Sequence, residues 1–186
     1  MSIFLRNIPN ILTALRLAAS PALVALLWRG HDFAALIVFV IAGATDALDG
    51  YLAKRFSLQT RFGRYMDPAA DKLLMLTSFL ALTVLGITPI WLTALVITRD
   101  ACIVIGIGLA YLWALPVRAT PSLLGKMSTA VQVVYVGLML LLLTFDISAR
   151  VLTNFAEITV AAFTLVSGLG YAQIWLRAAT HSRRPA

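Results

Sequence analysis

The chain has 186 residues, of which 61% are hydrophobic, and its mean hydropathy is +0.92. Soluble domains use about 45–50% apolar residues, so this composition excludes an ordinary soluble enzyme. The formal net charge is +7. In so apolar a chain this charge favours anionic lipid headgroups and phosphate substrates as partners, and not nucleic acid. Cys102 is the only cysteine, which excludes an intrachain disulfide and a cysteine metal cluster.

Hydropathy predicts six transmembrane helices after a short amphipathic N-terminal segment, so the expected fold class is an all-α polytopic membrane protein. Each span needs about 20 apolar residues, and this length of chain supplies about six. The predicted spans are residues 11–29, 33–53, 66–86, 89–113, 125–145 and 151–177. We expect a single membrane domain over residues 1–186. We expect no cleaved signal peptide, because no Ala-x-Ala-like site follows the N-terminal segment in a polar context.

Basic residues set the expected orientation of these spans. With the N-terminus in the cytosol, the outer segments carry only Arg29 and Arg150. The cytosolic segments carry Arg6, Lys54, Arg55, Arg61, Arg64, Arg118, Lys126, Arg177, Arg183 and Arg184. Cytosolic loops of membrane proteins are enriched in Lys and Arg, so this bias supports the orientation. It places residues 46–71 at the cytosolic ends of spans two and three.

Four aspartates, Asp46, Asp49, Asp67 and Asp71, lie inside or beside spans two and three. A carboxylate in hydrocarbon costs about 3 kcal/mol on insertion scales, so it needs compensation. Asp46 and Asp49 are three residues apart and Asp67 and Asp71 are four apart, so each pair shares a helix face. Oxygen ligands of this kind suit Mg²⁺, Mn²⁺ or Ca²⁺, and four carboxylates fit two ions. The cluster therefore predicts a divalent metal site.

Simpler interpretations exist for single members of this cluster. Asp67 before Pro68 is typical of a helix start, with aspartate as the N-cap and proline at the first helical position. Asp71 and Lys72 are compatible with surface charges at a helix entrance. Asp46 follows an apolar run and resists such an explanation, so the four together favour the metal site.

Three basic residues, Arg16, Lys72 and Arg99, lie within the predicted spans. Each needs an acidic partner or a water-filled cavity. The nearest acidic groups are the aspartate cluster and Asp100. We therefore expect these acids and bases to converge on one polar cavity that opens to the cytosol.

The stretch from residue 46 to residue 71 resembles the signature of the CDP-alcohol phosphatidyltransferases. The signature has eight defined positions at fixed spacing, which fall here on Asp46, Asp49, Gly50, Ala53, Lys54, Gly63, Asp67 and Asp71. The departure is Lys54, where the family usually has arginine; lysine keeps the charge but cannot form a bidentate contact. The resemblance implies transfer of a phosphatidyl group from CDP-diacylglycerol to an alcohol acceptor, with release of CMP.

The resemblance also implies roles for single residues. Asp46, Asp49, Asp67 and Asp71 are the implied ligands of two Mg²⁺ (or Mn²⁺) ions, and Asp71 is also the implied catalytic general base. The implied CDP-binding residues are Asn10, Thr13, Arg16, Asp46, Asp49, Gly50, Ala53, Lys54, Gly63 and Asp67. The first three belong to residues 7–16, which resemble the start of phosphatidylglycerophosphate synthases and of single-signature cardiolipin synthases. For Asn10 and Thr13, an ordinary helix start is the alternative.

The candidate acceptor-binding residues are Arg99, Arg118 and Lys126, because an anionic acceptor needs cationic partners. Arg99 followed by Asp100, together with residues 126–132, looks closer to the cardiolipin synthases, whose acceptor is phosphatidylglycerol. We nevertheless favour glycerol 3-phosphate, the more general acceptor among such small chains, and we keep phosphatidylglycerol as the alternative.

Three further expectations follow. The resemblance implies a homodimer. With the charge bias, it places the protein in a bacterial inner (plasma) membrane with its active site at the cytosolic face. A divalent-cation transporter is the alternative from a different functional class. The outer halves of spans two and three offer few polar groups to an ion, which disfavours it.

Overall fold

The computed structural model describes residues 3–56, 61–112 and 123–181, and within them the side chains of residues 13–45, 69–106, 108, 109, 112, 123–171 and 173. This part of the chain forms six α-helices and contains no β-strand, which confirms the all-α class. The helices are α1 (Ile3–Trp28), α2 (Asp32–Phe56), α3 (Arg61–Val84), α4 (Ile90–Leu112), α5 (Leu123–Thr144) and α6 (Arg150–His181).

Two helical segments of the described chain are long and apolar enough, by length and composition, to cross a membrane. They are Leu123–Thr144, with a mean hydropathy of 1.9, and Arg150–Tyr171, with a mean hydropathy of 1.4. Shorter apolar helical stretches are Thr13–Trp28 and Asp32–Thr45. The count of six spans therefore stays a prediction.

Two helices begin earlier than the hydropathy pattern predicts. α1 begins at Ile3, so the amphipathic segment is continuous with the first span, and Asn10 and Thr13 lie inside the helix. α3 begins at Arg61, so Asp67 lies in its second turn. An N-cap serves only the first few amide groups of a helix. The helix-start interpretations of Asn10, Thr13 and Asp67 are therefore wrong.

The turns that follow α1, α3 and α5 share one conformation. Each places a residue in the left-handed region: Gly30 (φ 72°), Gly86 (φ 74°) and Asp146 (φ 51°). In each, the following amide donates to the carbonyl five residues before it at 2.9 Å. This Schellman-type arrangement satisfies carbonyls that the helix end leaves without partners. Glycine adopts this conformation freely, whereas an L-residue such as Asp146 does so at a cost of about 1 kcal/mol.

The chain divides into two compact units. Unit 1 contains Met1–Ile87 and Val136–Ser148, and unit 2 contains Thr88–Tyr135 and Ala149–Ala186. In unit 1, α1 packs against both α2 and α3. Buried apolar side chains of this unit are Leu23, Leu27, Ala35, Phe39, Phe79 and Leu82. In unit 2, α4 packs against α6.

Candidate active site

A buried ion pair joins α1 to α3 in unit 1. Arg16 Nη1 lies 2.8 Å from Asp71 Oδ1. The Arg16 side chain is 1% exposed and the Asp71 side chain is 40% exposed, so the carboxylate keeps open surface while the guanidinium is enclosed. An enclosed charge requires such a partner, because an isolated charge away from water is costly. The expectation that Arg16 meets the aspartate cluster is confirmed for this pair.

Arg16 belongs to a polar stripe on one face of α1. Thr13, Arg16 and Ser20 follow one another at spacings of three and four residues, and all three are buried. The Ser20 hydroxyl donates to the Arg16 carbonyl oxygen at 3.4 Å. The structure thus buries two of the three α1 residues that the sequence assigns to CDP binding. Sequence analysis missed Ser20, although its spacing from Arg16 on an apolar helix was a usable signal.

Three of the four predicted metal ligands lie outside the described side chains. The backbones of Asp46 and Asp49 are in α2 and that of Asp67 is in α3, whereas Asp71 has a described side chain. Among the side chains that the structure describes, no group of three or more His, Cys, Asp or Glu residues is placed to hold a metal. The helix is continuous through each aspartate pair, so each pair shares a helix face. Four carboxylates are a hard-oxygen donor set, which fits Mg²⁺ or Mn²⁺.

The remaining signature and nucleotide-binding predictions fall partly or wholly outside the described residues. The structure describes helical backbone, but no side-chain surroundings, for Asn10, Gly50, Ala53, Lys54 and Gly63. Arg118 lies outside the described residues altogether. Lys126 occupies an exposed position in the first turn of α5.

A second buried arginine, Arg99, lies in unit 2. Its Nη1 lies 2.6 Å from Asp100 Oδ1, and its Nη2 donates to Ser167 Oγ on α6 at 2.6 Å. The Tyr171 ring centroid lies 5.9 Å from Arg99 Cζ, within cation–π range. The Arg99 side chain is 8% exposed, and its buried Nε has no hydrogen-bond partner among the described residues. Arg99 therefore meets Asp100, as expected, and is also held by α6.

Sequence analysis missed the α6 residues that hold Arg99. Ser167 is fully buried, and Tyr171 follows it by four residues on the same face of α6. Thr164, three residues before Ser167, accepts a 3.3 Å hydrogen bond from Gln132 Nε2 of α5. This run of polar side chains at helical spacing, in a mainly apolar stretch of α6, was the available signal.

Comparison with known proteins identifies a family whose sequence pattern this chain matches. The sequence pattern of the CDP-alcohol phosphatidyltransferase family matches residues 6–177. A CDP-diacylglycerol–glycerol-3-phosphate 3-phosphatidyltransferase from Bacillus subtilis is 31% identical over 181 residues, covering 89% of this chain and 93% of its own. A probable phosphatidylglycerophosphate synthase from Mycobacterium tuberculosis is 35% identical over 178 residues, covering 92% and 82%. A cardiolipin synthase (CMP-forming) from Streptomyces coelicolor is 38% identical over 109 residues, covering 55% and 51%.

Proposed function

Because the chain belongs to the CDP-alcohol phosphatidyltransferase family, we propose that it transfers a phosphatidyl group from CDP-diacylglycerol to glycerol 3-phosphate and releases CMP. Family membership makes it an enzyme of phospholipid biosynthesis and disfavours the divalent-cation transporter. The main structural support for the proposed roles of single residues is the Arg16–Asp71 ion pair at 2.8 Å. This pair joins the α1 segment to the last aspartate of the signature.

Asp71 is the proposed general base, and Arg16 orients it. The ion pair fixes one carboxylate oxygen, while the 40% exposure of the side chain leaves room for a hydroxyl to approach. A base acts within about 2.6–3.2 Å of the atom whose proton it takes. As Asp71 takes the acceptor's hydroxyl proton, the acceptor oxygen bonds to the phosphorus that carries diacylglycerol. The bond from that phosphorus to the CMP oxygen breaks.

The proposed ligands of two Mg²⁺ or Mn²⁺ ions are Asp46, Asp49, Asp67 and Asp71. Divalent metal bound there would neutralise charge on the diphosphate and on the departing CMP. The contribution of the fold is to present one carboxylate pair on α2 and one on α3, with α1 packed against both helices. The proposed CDP contacts are Asn10, Thr13, Arg16, Asp46, Asp49, Gly50, Ala53, Lys54, Gly63 and Asp67.

Arg99, Arg118 and Lys126 are the proposed ligands of the acceptor's phosphate. Support for Arg99 comes from its burial and from its Nε, which has no partner among the described residues. A buried N–H without a hydrogen bond costs about 1–3 kcal/mol, and such groups are often retained for function.

Glycerol 3-phosphate is favoured as the acceptor over phosphatidylglycerol. The relatives named for phosphatidylglycerophosphate synthesis match over 93% and 82% of their own lengths, and the bacterial cardiolipin synthase matches over 51%. Phosphatidylglycerol is the second candidate because that shorter match has the higher identity, 38%.

We also infer the membrane setting. In this proposal the chain crosses a bacterial inner (plasma) membrane six times, with the N-terminus in the cytosol and the active site at the cytosolic face. Residues 1–186 form one membrane domain, and two copies form a homodimer. The positive-inside distribution of Lys and Arg supports this orientation, and the two apolar helical segments support membrane insertion.

The test is CMP release by the purified protein in detergent with CDP-diacylglycerol, Mg²⁺ and one acceptor at a time. We expect release with glycerol 3-phosphate and a loss of about 10²–10⁴-fold in Asp71→Asn, the range that general-base catalysis contributes. Asp146→Asn is the matched control, because it removes the same charge from an exposed turn and keeps a residue that tolerates positive φ. Its rate should stay near that of the wild type.

Three outcomes would contradict the proposal at different levels. Release with phosphatidylglycerol alone would change the acceptor and keep the family chemistry. Full activity in Asp71→Asn would remove Asp71 as the base. No CMP with either acceptor would reject both acceptors.

A further inference from the structure

A groove of about 310 Å³ runs between α1 and α2 in unit 1. Its lining residues are Leu15, Arg16, Ala18, Ala19, Ala22, Val38, Ile41, Ala42 and Thr45. Leu15 and Ile41 form exposed rims, at 60% and 57% exposure, whereas Arg16 and Ala42 are buried in the floor. Apart from Arg16 and Thr45 the lining is apolar, and four of its members are alanines.

The groove has one polar end and one apolar end. α1 and α2 are joined through a short turn at Gly30, so they run antiparallel, with Arg16 near Thr45 and Ala22 near Val38. Ala22 follows Arg16 by six residues in the same helix, which corresponds to about 9 Å at about 1.5 Å per residue. A ligand that fits this shape has a polar group at one end and an apolar tail along the alanines.

The polar end coincides with the candidate active site. Arg16 is the residue that pairs with Asp71, and Thr45 directly precedes Asp46 in α2. A guanidinium attracts phosphate oxygens more strongly than neutral groups. The apolar end points away from these residues along both helices, and the small alanine side chains let a ligand approach the helix backbones closely.

We propose that this groove binds one acyl chain of the donor, CDP-diacylglycerol, and that Ala22 and Val38 limit how much of the chain it accepts. The inference rests on the proposed function, which supplies the identity of the donor. The donor combines a diphosphate with acyl chains, and the groove combines Arg16 with an apolar wall. Glycerol 3-phosphate carries no acyl chain, so the groove serves the donor in the favoured reaction.

The physical role of the groove is orientation more than affinity. An acyl chain in a bilayer is already surrounded by apolar groups, so entering the groove gains packing without a hydrophobic driving force. The groove instead restricts the direction in which the chain leaves the diphosphate. That restriction aligns the phosphorus with the acceptor oxygen, and alignment is a large part of catalysis.

The first test maps the chain directly and needs no turnover. The full-length protein in detergent is irradiated with CDP-diacylglycerol that carries a diazirine on its acyl chain, and labelled peptides are identified by mass spectrometry. We expect label on residues 15–22 and 38–45, reduced by excess unlabelled CDP-diacylglycerol and not by phosphatidylcholine. Label confined to other helices would overturn the proposal.

Other occupants give distinct results in the same experiment. Equal labelling by a diazirine phosphatidylcholine identifies ordinary membrane lipid. Stronger labelling by a diazirine phosphatidylglycerol identifies an acceptor chain, and covalent links between two copies identify a subunit contact. Each of these results overturns the assignment to the donor.

The second test places a larger side chain at the apolar end of the groove. Ala22→Leu should lower kcat for a dioleoyl donor by about tenfold, because a chain that no longer fits the groove loses its alignment, and leave kcat for a dibutanoyl donor, whose chains end before Ala22, within about twofold. Ala25→Leu is the matched control, an exposed α1 position that does not line the groove. Equal changes for both donors, or no change, would overturn the proposal. A wild type that releases no CMP from either donor would reject the proposed function, while the labelling result would still decide the groove.

Discussion

Among the side chains that the structure describes, each unit holds one buried arginine, and the two are stabilised differently. Arg16 in unit 1 pairs at 2.8 Å with Asp71 of another helix, and Asp71 is the proposed base. Arg99 in unit 2 pairs at 2.6 Å with its sequence neighbour Asp100 and donates to Ser167 of α6. One arginine is therefore joined to the proposed base, whereas the other is held by residues for which no chemical step is proposed. Changing the first should affect the reaction, and changing the second should affect acceptor binding.

Of the changes to the two arginines, Arg16→Gln should have the larger effect. It removes the charge that orients Asp71, so kcat should fall by about 10²-fold, the loss that a small misplacement of a reacting group produces. Arg16→Lys keeps the charge without the planar fork and should recover part of the rate. Initial rates of CMP release at saturating donor and acceptor measure both. If the rate of Arg16→Gln stayed within threefold of the wild type, Arg16 would not act on the reaction, and the proposed difference between the two arginines would be wrong.

Arg99→Gln should act on acceptor binding. A hydrogen bond to a charged group contributes about 1.5–3 kcal/mol, so KM for the acceptor should rise by about 10–100-fold. KM for CDP-diacylglycerol should stay within about twofold of the wild type, because Arg99 is not a proposed contact of the donor. Loss of a charged hydrogen bond to the donor would raise this KM by more than that. Titrations of each substrate at a fixed, saturating level of the other separate the two. An equal rise for both substrates would mean that Arg99 supports the fold and not the acceptor.

Ser167→Ala should produce a smaller shift in the same direction. The variant releases Arg99 Nη2 while Asp100 still holds Nη1, so KM for the acceptor should rise by about fivefold, equivalent to about 1 kcal/mol. Ser167→Thr keeps the hydroxyl and should restore most of the affinity. Ser78→Ala is the control: it removes another buried hydroxyl, one that donates to Leu74 O at 2.7 Å within its own helix. If Ser78→Ala also raised KM for the acceptor, the rise in Ser167→Ala would reflect a general loss of stability and not the lost contact with Arg99.

The smallest expected effects are on stability alone. Gly86→Ala forces a Cβ into a backbone with φ 74° and should lower the free energy of unfolding by about 1 kcal/mol. Asp146→Gly relieves φ 51° and should raise it by up to about 1 kcal/mol. Thermal unfolding in detergent measures both, with KM unchanged. If Gly86→Ala also raised KM for the acceptor, a loss of stability alone would be enough to explain the rise in KM expected of Arg99→Gln.

The sequence predicted the helical class and the family because both depend on strong local signals. Apolar runs of span length mark helices. The signature contains aspartates, which are costly inside a membrane and are therefore usually functional where they occur there. The acidic partners of Arg16 and Arg99 followed from the same argument, because an enclosed cation needs a nearby anion. The expectation of one shared cavity for these groups stays a prediction.

Two features were not predictable from these signals. Pro68 after Asp67 matches a helix start, yet α3 already begins at Arg61 and holds the proline in its interior, where Pro68 cannot donate a backbone hydrogen bond. Ser167 is one of several polar residues at helical spacing in α6, but its role depends on which α4 side chain faces it. That partner is set by tertiary packing and leaves no local sequence pattern.

The distance along the chain between Arg16 and Asp71 has a consequence for biogenesis. A ribosome adds about 5–20 residues per second, so roughly 55 residues of further synthesis delay the carboxylate by about 3–11 s. The α1–α2 hairpin, which ends at Phe56, is complete before Asp71 has been made. A nascent chain therefore exposes Arg16 before its partner carboxylate exists. The Arg16–Asp71 ion pair can form only after the whole α1–α2 hairpin has been synthesised.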